Sequence, residues 1–530
     1  MLKRFTFALF LLAFVAGCAT LPPGSDFPKA PSAALGNPIE TRLGRQFDSA
    51  AREHGGTSGY RLMPAGIDGL VTRVQMIDAA ERTLDLQYYI FRGDKSGRLI
   101  IDALLRAADR GVRVRVLVDE GERLPGDEQI EILDAHQNIE IRAFNPFSYR
   151  GSSRQLRAIE FMFNARRLDY RMHNKLFVVD NAVAVAGGRN IADEYFQVDA
   201  DPQFGDDDVF TAGPIVQSLS VVFDEYWNSD LAIPVRALGS GRSNAAALEE
   251  YRVELDRFRR ELASDRNDYL GRIAKGQLFA GLLSGKSPLV WTGADLVYDS
   301  PDKREVGKGK RPGKLIFPQV MERVRATQSE LLVVTPFFVP GPSGTDLLTE
   351  LRERSVTVCI LTNSLEATPE LPAHAGYMHY RRPLLEHGVQ LYEIRAQLGS
   401  THGSGQPSPA MLTYGRYALH SKVFVFDRTK VLIGSINFDL RSRDRNTEIG
   451  LIIDSPELAQ QAAKRFTALV QPANAYELVL RSQGSNDSRR LVWRTEDDGK
   501  PVDYDREPAG SEWRRFKVQL LTLLPLDPEL

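Results

Sequence analysis

Short, nearly continuous apolar runs recur along this chain, and each follows a segment with the periodicity of an amphipathic helix. In the first half, the apolar run at residues 84–91 follows a helix-like segment at 70–82. In the second half, the run at 331–338 follows a helix-like segment at 317–330. Strands that are apolar on both faces are typical of a sheet buried between helices. The pattern therefore predicts an α/β fold.

The same order of elements occurs in both halves of the chain. A further helix and strand are indicated at 99–110 and 112–118 and again at 346–354 and 356–361, with one more candidate strand each at 139–141 and 389–391. A long internal repeat of this kind indicates two related units that pack together. We therefore expect two pseudo-symmetric α/β lobes.

Composition and spacing also predict the boundaries between regions. Residues 245–262 carry Glu and Arg at helical spacing, which favours a solvated helix between the lobes. The basic loop at 303–314 is interpreted as solvated, with an anionic-headgroup site as the alternative. The predicted regions are a signal peptide at 1–17, a lipidated tether at 18–41, a first lobe at 42–240, a connecting helix and basic loop at 241–313, a second lobe at 314–475 and a C-terminal extension at 476–530.

The N-terminus has the features of an export signal. Lys3 and Arg4 precede an apolar run at 5–16, which is too short for a comfortable membrane span. The sequence Val-Ala-Gly-Cys ending at Cys18 resembles a bacterial lipobox, which implies cleavage before Cys18 and its lipidation; an ordinary signal peptide is the alternative. Residues 20–41, rich in Pro, Ala, Gly and Ser, predict a flexible tether. We expect a periplasm-facing lipoprotein of the cell envelope, and Ala19 favours the outer membrane.

Charge and cysteine content restrict the function further. The formal net charge of −2 gives no general attraction for polyanions, which argues against a nuclease with a strongly basic groove. Any preference for phosphate must therefore be local. Besides Cys18 the chain has only Cys359, which lies in an apolar run and is predicted to be a buried small side chain.

One motif is present in both halves with the same spacing. Each copy has a histidine, a lysine two residues later, four apolar residues, an aspartate, and a Gly-containing turn that ends in asparagine. The copies are His173, Lys175, Asp180 and Asn190 in the first half, and His420, Lys422, Asp427 and Asn437 in the second. Histidine and lysine two positions apart share one face of a strand. If the lobes pack around a pseudo-twofold axis, both His–Lys pairs meet in one pocket.

These side chains suit transfer of a phosphoryl-type group. One imidazole can attack phosphorus while the other protonates the leaving alcohol. Lys175 and Lys422 can neutralise the non-bridging oxygens, and Asn190 and Asn437 can donate hydrogen bonds where charge develops. No metal or other cofactor is expected, because the sequence has no carboxylate and histidine cluster at metal-ligand spacing.

The acidic residues near the motifs are candidates for supporting roles. Asp180 and Asp427 belong to the repeated motif, but an odd step along the strand points them away from the pocket, so we interpret them as supporting groups. Glu448 is the candidate that orients a histidine, as aspartate does in hydrolase triads. For the first motif the candidates are Asp206, Asp207 and Asp208, and the sequence does not distinguish among them.

The duplicated motif resembles the paired HKD motifs of the phospholipase D superfamily. This resemblance covers residues from about 59 to 470 and implies α-β-α sandwich lobes that share one active site, with a metal-independent two-step mechanism. Several segments resemble the bacterial cardiolipin synthase C branch: residues 84–90, 363–368, 374–377, 381–392 and 524–526. That branch implies phosphatidyl transfer between phospholipids, with phosphatidylglycerol and phosphatidylethanolamine as substrates, a membrane surface reached through the lipid anchor, and no nucleic acid partner. The superfamily also implies His173 as the nucleophile, although sequence symmetry leaves both assignments open.

Three enzymatic functions remain open. Phosphatidyl transfer that makes cardiolipin is the main prediction, hydrolysis of phospholipid to phosphatidate is the alternative, and a periplasmic nuclease is the third. An inactive scaffold is disfavoured because both motif copies are intact. His374, in a segment that resembles the cardiolipin synthase branch, is left as either a substrate contact or a packing residue.

Overall fold

A computed structural model describes residues 22–124, 126–151, 153–199, 201–239, 241–265, 269–398, 416–482 and 489–524. The predicted signal peptide and lipidation site at Cys18 lie outside these residues. Among the residues described, no helix is both long and apolar enough to cross a membrane.

The strands are β1 (Ser58–Met63), β2 (Thr83–Tyr88), β3 (Arg113–Asp119), β4 (Ile139–Phe144), β5 (Leu176–Val179), β6 (Val183–Gly187), β7 (Gln203–Gly205), β8 (Asp208–Ala212), β9 (Ala232–Pro234), β10 (Val290–Thr292), β11 (Ala294–Tyr298), β12 (Glu330–Val334), β13 (Thr357–Asn363), β14 (Gln390–Ile394), β15 (Tyr417–Leu419), β16 (Val423–Phe426), β17 (Lys430–Gly434), β18 (Ile449–Ile453), β19 (Ala475–Ser482), β20 (Arg489–Asp497) and β21 (Lys500–Tyr504).

The α-helices are α1 (Arg42–Glu53), α2 (Gly66–Ala79), α3 (Lys95–Asp109), α4 (Arg154–Leu168), α5 (Asp193–Phe196), α6 (Ile215–Trp227), α7 (Ala245–Leu262), α8 (Tyr269–Lys275), α9 (Gln277–Ser284), α10 (Lys303–Gly307), α11 (Ile316–Ala326), α12 (Gly341–Glu353), α13 (Leu371–Glu386), α14 (Leu440–Asp444), α15 (Pro456–Leu469) and α16 (Glu512–Leu521). Short 3-10 helices occur at Pro38–Glu40, Asp127–Ala135 and Val235–Leu238.

The two halves build two large sheets with matching centres. In the first sheet the order is β10-β1-β8-β6-β5-β2-β3-β4-β9, and in the second it is β11-β18-β17-β16-β12-β13-β14-β19-β20-β21. Strands β2, β3 and β4 are parallel, as are β12, β13 and β14. The antiparallel neighbours β5 and β16, which follow the motif histidines, occupy equivalent places. The predicted two-lobed α/β fold is confirmed.

Three apolar clusters hold these layers together. One lies in the first lobe and another in the second, between each sheet and its outer helices. The third draws on both lobes, with Leu176 and Val178 of β5 in the same cluster as Val423 and Val425 of β16. Because the side chains alternate along each strand, one face of β5 and β16 packs into this shared core. The shared core fixes the two motifs relative to each other.

Regions predicted to be outside the lobes contribute to both sheets. Strand β10 pairs with β1 in the first sheet, and β11 pairs with β18 in the second. The segment beyond residue 475 extends the second sheet through β19, β20 and β21. The connection between the lobes therefore crosses from one sheet edge to the other, a path that the charge pattern alone did not indicate.

Helix α7 differs from the solvated connector that was predicted. Its charged residues do line one face, but five apolar residues on the opposite face are buried against the first lobe: Leu248, Tyr251, Leu255, Phe258 and Leu262. Arg252 also pairs with Asp109 of α3 at 2.8 Å. The density of charge hid an apolar stripe at helical spacing, which is the stronger signal for packing.

The segment predicted as a flexible tether is bound to the first lobe over its described part. Lys29 donates to the carbonyls of Ser229 and Ala232, the latter at 2.9 Å. The backbone N–H of Ala34 donates to Asp224 at 2.8 Å. Its composition predicted flexibility, yet a chain without regular structure can be held by hydrogen bonds from its own backbone.

The prediction for Cys359 is confirmed, because it is buried in β13.

Candidate active site

The two motif histidines lie just before equivalent strands, at the junction of the lobes. His173 precedes β5 and His420 precedes β16, so the lysines two residues later lie directly before the first residue of each strand. Both histidines are almost completely buried, with 6% and 7% of their surface exposed. The expected convergence of both motifs on one cavity is what the geometry gives.

Backbone pairing between the lobes holds each histidine in place. The N–H of His173 donates to the carbonyl of Thr447 in the second lobe at 2.9 Å. In the same way the N–H of His420 donates to Gly205 of the first lobe at 2.8 Å, next to the parallel pair β7–β15. Each histidine segment is thus a short strand partner of the opposite lobe.

The carboxylates that orient the histidines are exchanged between the lobes. His173 Nδ1 lies 2.9 Å from Glu448, the residue that follows Thr447. His420 Nδ1 lies 2.6 Å from Asp206, the residue that follows Gly205. A carboxylate accepts hydrogen bonds only, so it fixes the proton on Nδ1 and leaves Nε2 for chemistry.

This exchange corrects the assignment of the aspartates at 206–208 to the first motif. Asp206 holds the second motif's histidine. Asp207 accepts from Ser421 Oγ at 2.6 Å, and Asp208 pairs with Arg73 of α2 at 2.9 Å. The interpretation from sequence assumed that each lobe is self-sufficient, and packing across the pseudo-twofold axis is what overturns it.

Glu448 is held by a set of groups that sequence reasoning did not identify. Ser435 Oγ donates to it at 2.5 Å and Ser442 Oγ at 2.8 Å. Its backbone N–H donates to Asp299, which pairs with the buried Lys303 at 2.9 Å. Lys303 is therefore not part of a solvated basic loop, because its ammonium is buried under the turn that carries Glu448. The sequence contained one indication of the groups that hold Glu448, namely the hydroxyl in the Gly-Ser turn at 434–435.

Burial sets the protonation of these groups. Burial, followed by the charges of Lys175 and Lys422, holds the pKa of His173 well below its usual range. The same causes lower the pKa of His420. Burial raises the pKa of Glu448 to about 7, even though the Lys175 charge and the two serine hydrogen bonds act in the opposite direction. Charge is therefore costly throughout this buried site, and an incoming anion relieves the cost of positive charge on the histidines and lysines.

The two lysines lie against their own histidines. Lys175 Nζ donates to the His173 carbonyl at 2.5 Å, and Lys422 Nζ lies 2.9 Å from His420 Nδ1 and also donates to the His420 carbonyl. Burial holds the pKa of Lys175 well below its usual range and lowers the pKa of Lys422 to about 8. Each lysine charge also lowers the pKa of both histidines, so all four groups form one electrostatic unit.

A cavity of about 420 Å³ opens onto both histidines. Asn190 and Asn437, the residues that end the two Gly-containing turns, both line it. Asn190 Oδ1 accepts the N–H of Ile90 at 3.1 Å, which leaves the amide NH₂ to donate. Asn437 Oδ1 is buried without a hydrogen-bond partner among the described residues. Both amides are thus placed to contact a ligand between the histidines.

Aromatic side chains flank the imidazoles. Tyr89 lies edge-on to His173 with ring centroids 5.1 Å apart. Tyr195 and Phe204, which were not singled out, pack against His420 at 4.9 and 5.5 Å. Their positions in short segments after the first motif gave no repeated signal that could have identified them.

Asp180 and Asp427 point away from the cavity, as their odd spacing predicts. Asp180 accepts the backbone N–H groups of residues 81–83 at the start of β2. Asp427 accepts the equivalent groups of residues 328–330 before β12. Neither carboxylate reaches the histidines, so their place among the motif residues is that of strand anchors and not of catalytic groups.

His374 does not line the cavity. Its Nε2 lies 2.8 Å from Glu507, within a buried group that includes Arg381. This arrangement favours packing between α13 and the C-terminal region over substrate contact.

Within the described part of the chain, no three His, Cys, Asp or Glu residues form a group that could hold a metal ion. The expectation of a cofactor-free enzyme remains a prediction.

Comparison with known proteins places the chain in a family. The profile described as "Cardiolipin synthase, PLD-like domain" matches residues 74–227 and 320–470, which contain the two motif copies. The chain belongs to this cardiolipin synthase family of phospholipase D-like proteins. Cardiolipin synthase C of Escherichia coli (strain K12) is 37% identical over 484 residues, which cover 90% of this chain and 97% of that protein.

Other members of the cardiolipin synthase family and one solved structure are also similar. Cardiolipin synthase of Alkalihalophilus pseudofirmus is 25% identical and covers 74% of this chain and 62% of its own length. The structure of phosphatidylserine synthase from Haemophilus influenzae Rd KW20 has a TM-score of 0.52 at 13% identity and covers 81% of this chain and 91% of that chain. That structural likeness supports the fold alone.

Proposed function

We propose that this protein transfers a phosphatidyl group from one phospholipid to another, with cardiolipin as the product, through a phosphohistidine intermediate. The observation that carries the proposal is the exchanged pair of carboxylates, which leaves Nε2 of both His173 and His420 at one cavity. The family to which the chain belongs supports the same reaction.

In the first step, His173 Nε2 attacks phosphorus of the donor phospholipid. The new P–N bond forms as the P–O bond to the headgroup alcohol breaks, and His420 gives its proton to that alcohol oxygen. A phosphodiester in the cavity adds negative charge beside His420, which raises its pKa and keeps the proton available. Glu448 stabilises the positive charge that develops on His173.

In the second step, the roles of the histidines reverse. His420 Nε2 takes the proton from the hydroxyl of the acceptor phospholipid, whose oxygen attacks phosphorus. The P–N bond breaks, and the phosphatidyl group leaves on the acceptor. The two asparagines that line the cavity, together with Lys175 and Lys422 beside the histidines, hold the non-bridging oxygens through both steps. The same geometry with water as the acceptor yields phosphatidate, which is the alternative outcome.

We propose phosphatidylglycerol as both donor and acceptor. Phosphatidylethanolamine is proposed as a second donor. An acceptor must carry a free hydroxyl, and the glycerol headgroup supplies one. We also propose that lipid on Cys18 anchors the protein at the periplasmic side of the envelope. The support for this anchor is the lipobox-like sequence before Cys18. Tethering raises the local concentration of lipid substrate at the cavity.

The test is the identity of the lipid products. The chain from residue 19 is incubated with vesicles of phosphatidylglycerol and phosphatidylethanolamine, and products are identified by mass spectrometry. Cardiolipin that disappears in His173→Ala and His420→Ala supports transfer. Phosphatidate without cardiolipin makes the protein a hydrolase, and product that persists in both variants contradicts the mechanism. Asp427→Asn, which changes the second motif away from the cavity, serves as the matched control.

A further inference from the structure

Helix α4 exposes a row of large apolar side chains. Leu156, Ile159 and Met162 are 47%, 48% and 67% exposed. Residues three apart lie on one face of a helix, so these side chains form a continuous strip. Soluble proteins rarely expose contiguous apolar surface unless something binds it.

Helix α16, at the other end of the chain, exposes a similar strip. Trp513, Phe516 and Leu520 are 65%, 54% and 55% exposed, and Leu523 and Leu524 continue the row beyond the helix. The opposite side of this helix is packed, since Val518 is fully buried against the second lobe. The helix is therefore seated on the protein by one face and presents the other to the surroundings.

Helix α4 begins at a cavity that adjoins the catalytic cavity. Arg154 and Arg157, in the first turn of α4, line a neighbouring cavity of about 260 Å³. That cavity shares Arg92 and Glu122 with the catalytic cavity. Helix α4 thus borders the catalytic opening on the side of the first lobe.

Helix α16 borders the same opening on the side of the second lobe. Arg514 Nε donates to the Leu365 carbonyl at 2.6 Å, and its Nη2 donates to the Thr368 carbonyl. The next residues of that loop, Pro369 and Glu370, line the catalytic cavity. Glu122 of the first lobe and Glu370 of the second both line this cavity, so the two rims border one opening.

Basic side chains accompany both strips. Arg154 is exposed and forms no ion pair among the residues that the structure describes. Burial and then neighbouring arginines lower the pKa of Arg157, against the opposing charge of Glu120. On α16, Lys517 lies 6.0 Å from the centre of the Trp513 ring. Apolar residues with arginine, lysine and tryptophan beside them are the composition of helices that lie in the interface of an anionic bilayer.

We propose that α4 and α16 form a docking surface that seats the catalytic opening on an anionic phospholipid bilayer. The apolar strips enter the acyl boundary, and the basic residues meet lipid phosphates. A headgroup can then enter the cavity between the helices without leaving the bilayer. The choice of a bilayer as the occupant rests on the proposed function, because a lipid substrate must reach the cavity from a membrane.

The experiment uses the chain from residue 19, which retains all described residues and lacks the proposed lipid anchor. One variant is Leu156→Ser with Ile159→Ser and Met162→Ser; the other is Trp513→Ser with Phe516→Ser and Leu520→Ser. The matched control is Val221→Ser with Val253→Ser, on α6 and α7, because these valines are 57% and 59% exposed. Vesicles contain phosphatidylcholine alone or with an equal amount of phosphatidylglycerol.

Cosedimentation gives the partition coefficient for each protein. We expect the unmodified protein and the control to bind the anionic vesicles. Each triple variant should have a partition coefficient that is lower by about tenfold or more. Equal binding by the triple variants overturns the proposal. It is also overturned if size-exclusion chromatography shows a dimer that the triple variants separate into monomers, because the strips then cover a second copy.

Activity on soluble and vesicular lipid separates this proposal from the proposed function. With dihexanoyl phosphatidylglycerol below its micellar concentration, the triple variants should keep the turnover of the unmodified protein while losing turnover on vesicles. Loss on both substrates contradicts a docking role. If no protein transfers any lipid but vesicle binding still depends on the strips, the proposed function fails and the docking surface stands.

Discussion

Each half of the catalytic cavity orients its histidine with a carboxylate, but the residues that do so differ between the halves. His173 is oriented by Glu448 and His420 by Asp206, each from the opposite lobe. Two serine hydroxyls bind Glu448, whereas Asp206 accepts the N–H of the next residue at 2.8 Å. The support is thus built from side chains in one half and from backbone in the other.

The turn beside each carboxylate fits the length of its side chain. A Cβ on Gly188 would lie 2.1 Å from Asp206 Oδ1, so this position must lack a side chain. At the equivalent place in the second lobe, Ser435 donates to Glu448. Aspartate is one carbon shorter than glutamate, and glycine instead of serine stands in the turn packed against it. The comparison teaches that the carboxylate and the turn beside it differ together between the two halves.

The largest effect is expected from removing either histidine. His173→Ala and His420→Ala should each lower kcat by roughly 10⁴-fold or more, because nucleophile and acid act as one unit. The double variant should be no worse than either single one. Cardiolipin formation under single-turnover conditions measures both. If either single variant keeps a near-normal kcat, the two histidines are not both required for the reaction.

Removing the exchanged carboxylates should cost less. Glu448→Gln and Asp206→Asn should each lower kcat by about 10²- to 10⁴-fold, since the histidine loses the partner that fixes its proton. A Glu448→Gln change added to His173→Ala should have no further effect. If it lowers activity in that background as it does alone, Glu448 does not act through His173.

The pH dependence distinguishes Glu448 from Asp206. Burial raises the pKa of Glu448 to about 7, so as pH falls through this value the carboxylate becomes neutral and stops stabilising charge on His173. Activity should therefore decrease below about pH 7. The residual kcat of Glu448→Gln should no longer decrease below about pH 7. If the decrease persists in this variant, another group causes it.

The turns give a matched pair with a smaller effect. Gly188→Ser should lower kcat by about 10²-fold, because the new side chain displaces Asp206 from His420. Ser435→Gly should cost only about tenfold, since Ser442 still binds Glu448. Steady-state kinetics of both variants, with melting temperatures as the folding control, measure the difference. Equal losses contradict the match between turn and carboxylate length.

The smallest effect on chemistry is expected from the strand anchors. Asp180→Ala should lower the free energy of unfolding by about 3 kcal/mol and Asp427→Ala by about 1–2 kcal/mol, because the hydrogen bonds of Asp427 are more exposed. Both should change kcat by less than about threefold at temperatures where they are folded. Urea unfolding and lipid product assays measure the two quantities; a large loss of kcat at full stability would assign these residues a catalytic role.

Local signals sufficed for much of the fold. The apolar runs before residues 91 and 338 gave β2 and β12, although both strands end earlier, at Tyr88 and Val334. Beyond these ends, Tyr89, Ile90 and Phe337 line the cavity. Helix α7 has the predicted bounds, but its burial depended on tertiary contacts that charge density concealed.

The site divides in the same way between local and long-range information. The repeat identified His173, His420 and the flanking lysines and asparagines, because each copy is written within a short stretch of sequence. It did not identify Asp206 as the partner of His420, since that contact spans the lobes. Phe204 and Ser442 gave no repeated signal at all, because they support the site in one half only.

The most direct test of the central claim is to trap the phosphohistidine. The chain is mixed with phosphatidylglycerol labelled in phosphorus, quenched at alkaline pH and digested for mass spectrometry. We expect an acid-labile phosphatidyl adduct on His173 of the unmodified protein, strongly reduced in His420→Gln, which lacks the acid for the first step, and absent in His173→Ala. An adduct on another residue, or cardiolipin formed with no adduct at either histidine, contradicts it.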